Sequence, residues 1–287
     1  MRLAPAFVRQ WNRFAYGNNR NENGEMKMES LTVQMERPYS QFAPAYDQTI
    51  GWPTFLRTRR SFEMLAQRYD IQFRNAADLG CGTGLFANYL NQCWDVPVYA
   101  VDLSPEMLRV AARNCPGSKV RLLRQDIRRL QLPEPVDLAT SNFDALNHLT
   151  GDDDLRVAFR RVAENLKPGG YFYFDLITPC LPISTRMVYV RKIRAHNRQV
   201  TQLIRWNPTR RIISIAVAVR SIGSPGTKLE FHRERAYSFA EVGCWLMDAG
   251  FIIRGVHDEA TLRPASGCPT RIIVVAQKAM YRWSGHR

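Results

Sequence analysis

The spacing of apolar positions switches between two periods along the chain. From Pro53 to Arg68, Phe55, Leu56, Phe62, Leu65 and Ala66 fall on one helical stripe, and Pro53 suits a first helical position. Ala76 to Leu79 is a short apolar run that predicts a buried strand, and a glycine-rich turn follows it. Leu85 to Gln92 then reads as a helix and Val96 to Val101 as a strand. Ser104-Pro105-Glu106-Met107 predicts a helix start, with serine at the N-cap, proline at the first turn and an early acid. Val120 to Leu123 and Val136 to Thr140 are strand-like. Asp152 to Leu166 predicts a helix whose acids sit at its positive end, closed by Lys167-Pro168-Gly169-Gly170 before a strand at Tyr171 to Leu176. Strands alternating with helices predict a parallel sheet covered on both faces.

Beyond Pro179 the pattern changes. Met187 to Arg194, Gln199 to Trp206, Ile212 to Arg220 and Leu229 to Tyr237 are strand-like runs separated by turn residues such as Asn207-Pro208 and Gly223-Ser224-Pro225-Gly226. They predict an antiparallel insert. Phe239 to Asp248 is a helix ending at Gly250, a strand begins at Phe251, and Thr270 to Lys278 is the last strand. The expected divisions are a flexible N-terminal arm over residues 1–37, a core with an N-terminal lid helix over 38–180, the insert over 181–237, and a return to the core over 238–287. The arm is assigned from the polar run Asn18 to Glu25, which has no apolar period. Met26, Met28 and Met35 are alternative starts within it.

Composition narrows the classes. At about 150 residues per domain, a chain of 287 residues makes one large or two small domains. The mix of 45% hydrophobic and 23% charged residues excludes a collagen, a coiled coil or a mostly disordered chain. The longest uncharged runs are too short to cross a bilayer, so no membrane partner is expected. Six cysteines without a CxxC pair read as free thiols in a cytoplasmic protein, with no metal site. The net charge of +14 concentrates in the insert: Leu176 to Leu229 holds ten Lys or Arg and no Asp or Glu. That stretch is either a solvated sheet face or a surface for nucleic acid or an acidic substrate, with Arg186 and Arg191 as candidate grips.

The chemistry-bearing motif is Asp78-Leu79-Gly80-Cys81-Gly82-Thr83-Gly84, which joins a strand to a helix. Glycines admit a ligand where a Cβ would clash, and the helix N-terminus presents free N–H groups. A nicotinamide dehydrogenase would carry GxGxxG; this loop is GxGxG with an acid ahead of it. Asp102 ends the second strand, where a carboxylate reaches both hydroxyls of a ribose. Asp126-Ile127 follows the third strand and Asn142 the fourth. In a doubly wound sheet, these strand ends meet in one crevice.

The motifs ADLGCGTG (Ala77 to Gly84), VDLSPEML (Val101 to Leu108), RQDI (Arg124 to Ile127) and LKPGG (Leu166 to Gly170) resemble those of class I S-adenosylmethionine-dependent methyltransferases. The resemblance covers roughly two-thirds of the chain. It implies an α/β, Rossmann-like, doubly wound, mostly parallel seven-stranded sheet, with the antiparallel β insert between strand five and the last helix. It implies S-adenosylmethionine as cofactor and S-adenosylhomocysteine as product. The Gly80 to Gly84 loop, with Cys81, Thr83 and Asp78, would run along the methionine part. Asp102 would hold the ribose, Leu103 and Met107 would pack on adenine, and Asp126 with Ile127 would frame it.

A narrower resemblance is to small-molecule N-methyltransferases of amino sugars and glycine-like amines. It rests on Tyr39-Ser40-Gln41-Phe42-Ala43-Pro44-Ala45-Tyr46-Asp47 as a lid, on Asn142 to Leu149 after strand four, and on the position of the insert. It implies a small-molecule acceptor with an N or O nucleophile. His148 becomes the candidate base, and Tyr39 a contact to acceptor or cofactor. Tyr46, Phe143, Asn147, His232 and Tyr237 become candidate acceptor-pocket residues. Three other readings stay open: an RNA methyltransferase using the basic insert, an enzyme that cyclises or cleaves S-adenosylmethionine, and a non-enzymatic scaffold. Cys180 in Thr178-Pro179-Cys180 is a weak candidate nucleophile for base methylation. A homodimer is one option for assembly.

Overall fold

The computed structural model describes residues 33–117, 119–181, 189–195, 198–223 and 226–280. Its main sheet holds β2 (Ala76–Leu79), β3 (Val98–Asp102), β4 (Val120–Arg124), β5 (Val136–Ser141), β6 (Leu166–Ile177), β11 (Phe251–Asp258) and β12 (Arg271–Lys278). These seven strands run in the order β11-β12-β6-β5-β2-β3-β4. All neighbours from β4 to β6 pair in parallel, and β12 is antiparallel to both β6 and β11. The expected doubly wound, mostly parallel sheet is therefore present.

Helices cover both faces. Helix α2 (Trp52–Arg68) and helix α3 (Leu85–Trp94) pack Phe62, Leu65, Phe86 and Leu90 on one side. Helix α5 (Asp154–Asn165) and helix α6 (Phe239–Asp248) pack Phe159, Val162, Val242 and Leu246 on the other. Strand β6 serves both layers: Phe172 and Phe174 join the second, while Tyr173 between them joins the first. Helix α4 (Pro105–Asn114) starts as the sequence predicts, because the Ser104 hydroxyl accepts the Met107 N–H at 3.2 Å. Helix α6 carries a full capping box between Ser238 and Glu241.

The insert is a second sheet of β7 (Tyr189–Ala195), β8 (Arg198–Asn207), β9 (Ile212–Ser221) and β10 (Thr227–Arg235). Its order is β1-β10-β9-β8-β7, and the fifth strand, β1 (Val33–Glu36), corrects the arm assigned to residues 1–37. Val33 to Glu36 pair in parallel with Thr227 to Glu230, so residues 33–36 are an edge strand of the insert. A four-residue strand with one polar-apolar alternation is too short to stand out from its polar flank. Residues 1–32 lie outside the described residues, as do Arg186 and the Arg191 side chain.

Behind β1, the chain makes the short helix α1 (Ala43–Tyr46), then a π-helical stretch (Asp47–Gly51) leading into α2. Phe42, Ala45 and Ile50 pack on Val200, Val217 and Val219 of the insert, while Ala43 packs on Met107 and Val110 of α4. The lid is thus wedged between insert and core. The insert leaves the core and returns to it at one place: the Tyr237 N–H donates to the Ile177 carbonyl at 3.0 Å.

The cysteine reading needs correction. Cys180 and Cys268 are bonded, with Cα atoms 5.4 Å apart, while Cys81, Cys93, Cys115 and Cys244 form no disulfide. The partners are separated by 88 positions and meet only because β12 returns beside β6, which spacing alone does not reveal. Cys180 is therefore no free nucleophile. Among the described residues, no helix is long and apolar enough to cross a membrane, and no metal-binding cluster occurs.

Candidate active site

A cavity of about 620 Å³ opens at the carboxyl ends of β2, β3, β4 and β5. The glycine loop forms its floor. Gly80, Gly82 and Gly84 have φ of +71°, +53° and +78°, and a Cβ at Gly80 would overlap the Ala145 side chain. No other residue type fits that turn without strain. The loop is pinned to the second strand, with the Gly82 N–H donating to Asp102 Oδ2 at 2.8 Å. Asp102 Oδ1 accepts the Ser104 N–H, also at 2.8 Å. Burial pushes the Asp102 carboxyl up, opposed by these two N–H groups.

At the inner end lie Asp78 and Asn142, both lining the cavity. Asp78 Oδ1 accepts from the Thr140 hydroxyl at 2.8 Å. Its Oδ2 and both amide atoms of Asn142 are buried with no hydrogen-bond partner. Burial raises the Asp78 carboxyl to about 7, against the Thr140 bond. Buried polar atoms without partners are costly, so this corner is built for a polar ligand. At the rim, Leu103 is 61% exposed and Met107 is buried, with Ile127 facing them across the cavity. Asp126 lines the cavity, but Arg128 grips both its oxygens and holds its carboxyl below the usual range. Framing the adenine, as expected of it, would leave Asp126 sharing those oxygens with Arg128.

The opposite wall comes from the lid and the loop after β5. Tyr39, Tyr46, Phe143 and His148 line it. The Tyr39 hydroxyl lies 2.8 Å from His148 Nε2, and the Tyr39 ring stands edge-on to His232 at 4.5 Å. Tyr39, Phe143 and Asp144 all have positive φ, a rare conformation for bulky residues. The Phe143 and Asp144 N–H groups donate to Asp175 at 2.7 and 3.0 Å, and Arg271 bridges Asp144 and Asp175. His148 is pushed down to about 4, first by burial and then by His232, so its imidazole is neutral at pH 7. Burial also raises the Tyr39 and Tyr46 hydroxyls, keeping them protonated.

Several predicted residues lie elsewhere. Gly84 does not line the cavity; it has αL geometry at the start of α3, with Ala111 and Cys115 packed against it. Asn147 is fully buried and fastens the insert's two ends: its amide donates to the Ile177 and Arg235 carbonyls and accepts from the Ile177 N–H. Tyr237 is buried with its hydroxyl on the Leu149 carbonyl. His232 stands behind Tyr39 and outside the cavity, bonded to Glu230 at 3.2 Å. These three are framework residues; a polar side chain's type does not say whether its partner is ligand or backbone.

The sequence reading also missed three acids. Asp47 accepts from the Thr83 hydroxyl at 2.5 Å and from the Asn114 amide at 2.9 Å, tying lid to glycine loop. Glu230 and Glu234 flank His232 on β10, and all three are buried. Glu234 Oε1 is 3.7 Å from His148 Nε2, and burial beside Asp144 pushes its carboxyl up. Three polar residues at period two on the inner side of a strand were the available signal.

A floor built on the left-handed Gly80 and Gly82, a carboxylate at the end of the second strand and an unpartnered polar corner fit a nucleoside-linked amino acid. The methyltransferase domain model matches residues 76–170, the stretch that builds this floor. The chain carries a methyltransferase domain and uses S-adenosylmethionine. A protein of Geobacillus sp. (strain WCH70) described only as a methyltransferase is 26% identical over 250 residues, covering 84% of this chain and 99% of that one. The methyltransferase fold is shared with an S-adenosylmethionine-dependent methyltransferase of Clostridium acetobutylicum ATCC 824, at a TM-score of 0.71 and 25% identity, covering 84% and 99% of the two chains. It is also shared with an amino pentose methyltransferase of Micromonospora echinaspora calicheamicin biosynthesis, solved with S-adenosylmethionine bound. There the TM-score is 0.60 and the identity 23%, over 79% and 91% of the two chains.

Proposed function

We propose that this methyltransferase acts on an N or O nucleophile of a small molecule, with Tyr39 and His148 facing the acceptor. The observation that carries the reading is the Tyr39–His148 contact on the wall opposite the glycine loop, in the same cavity. The amino pentose acceptor of the Micromonospora neighbour supports an amine. The basic insert argues less for RNA than its charge suggests. Val200, Val217 and Val219 pack on the lid, and Arg205 and Arg220, an odd number of positions away, point off the other face.

Bound S-adenosylmethionine supplies a methyl group on a sulfonium, an electrophile with a good leaving group. Gly80, Cys81 and Gly82 would line its methionine part, Asp78 and Asn142 its ammonium end, Asp102 its ribose, and Leu103, Met107 and Ile127 its adenine. Asp47 on Thr83 closes the lid onto that loop. Tyr39, Tyr46 and Phe143 enclose the acceptor and exclude water, so placement provides much of the rate. His148, neutral at pH 7, can draw the acceptor's proton through the Tyr39 hydroxyl, and Glu234 Oε1 stands 3.7 Å from the same Nε2.

The test is methyl-labelled S-adenosylmethionine incubated with enzyme and a host lysate split into small-molecule filtrate, RNA and protein. Label in the filtrate is expected. Label in RNA overturns the small-molecule reading.

A further inference from the structure

Tyr39 holds a conformation that its own chemistry disfavours. Its φ is +64°, in the left-handed region that a bulky L-residue avoids. Something outside the lid must hold it there.

One side chain is in place to do so. Glu230, on β10 of the insert, has no solvent exposure. Its Oε2 accepts the Tyr39 N–H at 2.8 Å, and its Oε1 accepts the Gln41 and Phe42 N–H groups at 2.5 and 3.0 Å. The Ser40 hydroxyl adds a longer contact at 3.5 Å. A fully buried carboxylate with three backbone donors is satisfied where it stands, and each donor is held by a charge-assisted bond. His232, two positions along the same strand, bonds Glu230 Oε2 at 3.2 Å and presents its ring to Tyr39 at 4.5 Å. Strand β10 thus holds the Tyr39 backbone with one residue and its ring with the next on that face.

We propose that Glu230 is a positioning residue for methyl transfer: it fixes the Tyr39 backbone so that the Tyr39 hydroxyl meets His148 Nε2. The inference rests on the acceptor-side role given to Tyr39 and His148 above. Glu230 touches neither acceptor nor cofactor and lies outside the cavity wall. Its effect passes through three amides at the start of the lid. The insert, none of whose described residues lines the cavity, then acts on the proton path through the lid.

Amide hydrogen exchange on the ligand-free enzyme tests this without relying on turnover. In the wild type, the Tyr39, Gln41 and Phe42 amides should be as protected as the β10 amides that carry Glu230. Exchange at the rate of an unstructured peptide overturns the proposal with no mutation made. In Glu230→Gln, one acceptor oxygen becomes a donor facing donors. The three amides should then exchange about thirtyfold faster or more, the size of a lost charge-assisted bond. The β8 and β9 amides should be unchanged, which reports an intact fold. With methyl-labelled S-adenosylmethionine and the small-molecule filtrate of a host lysate, the maximal labelling rate should fall about tenfold or more, while KM for S-adenosylmethionine stays within about threefold. Tyr39→Phe should lose turnover but keep all three amides protected, separating hydroxyl from latch. Unchanged exchange in Glu230→Gln, or an unchanged labelling rate despite faster exchange, removes the positioning role. If instead Tyr39→Phe and His148→Ala both retain full turnover, the acceptor-side reading has failed while the latch itself stands.

Discussion

The cofactor floor and the wall to which the acceptor is assigned above are built by opposite means. The floor is local: its ligand-facing residues sit at the ends of β2, β3, β4 and β5, each a few positions from a strand that the sheet fixes. Glycine torsions and short backbone contacts such as Gly82 to Asp102 shape it. The acceptor wall is assembled across the chain. Glu230 reaches the Phe42 amide over a separation of 188 positions, and Tyr39 reaches His148 over 109. The first construction suits a ligand common to many enzymes, since it depends on the sheet alone. The second can change its acceptor without disturbing that sheet.

The difference can be broken experimentally, and the largest effect should come from the wall. His148→Ala is expected to lower kcat by a hundredfold or more on the order of a lost general base, while leaving S-adenosylmethionine affinity nearly unchanged by calorimetry. Turnover equal to wild type would remove the base and leave placement alone. Gly80→Val should act on the other side, weakening S-adenosylmethionine binding by about a hundredfold, because the new side chain meets Ala145 and the φ of +71° is strained. Asp102→Ala should weaken binding more than about tenfold, since the ribose loses its carboxylate and the loop loses its pin. Unchanged affinity would sink the ribose assignment.

A smaller effect sharpens the contrast through pH. The Asp78 carboxyl titrates near 7 in the free enzyme, far above its ordinary 3.8. A cationic ammonium beside it favours the ionised form, so S-adenosylmethionine affinity should weaken several-fold as pH falls from 8 to 6. The sign for stability is the reverse. An acid raised by folding binds its proton more tightly in the native state, so the ligand-free enzyme should lose stability as pH rises from about 4 to 7. Thermal melts with and without ligand across that window check both. Last, Asn147→Ala should lower stability by about 2–3 kcal/mol, because it leaves buried backbone groups without partners. Its turnover per folded molecule should be near normal, as befits a framework residue.

The same contrast explains what could be read in advance. The cavity positions of Asp78, Gly80 to Thr83, Asp102 and Asp126 were legible because spacing along one strand and one turn determines where they point. Met107 was legible because the Ser104 cap fixes where α4 begins. Asn147, His232 and Tyr237 were placed in the acceptor pocket because they neighbour it in sequence, yet each spends its polar atoms on the framework. Glu230 and Glu234 were passed over because their period-two spacing with His232 puts all three on one face of the strand without saying whether that face is buried. Only the parallel pairing of β1 with β10, and the lid that follows it, turns that strand inward. The Cys180–Cys268 bond escaped for a related reason, since it depends on the antiparallel return of β12.

The Tyr237 to Ile177 bond, where the insert closes on itself, has a consequence for anyone exchanging acceptor specificity between such enzymes. Because the segment departs and rejoins at a single point, it has the outward form of a cassette that could be cut out and replaced. Yet β1 and the lid, at the far end of the chain, are woven into the same sheet. A transplant of the insert alone would arrive without the strand that completes it and without the tyrosine it exists to hold. On the acceptor-side reading proposed above, the heritable unit of specificity is discontinuous: two separate stretches of gene that must travel together.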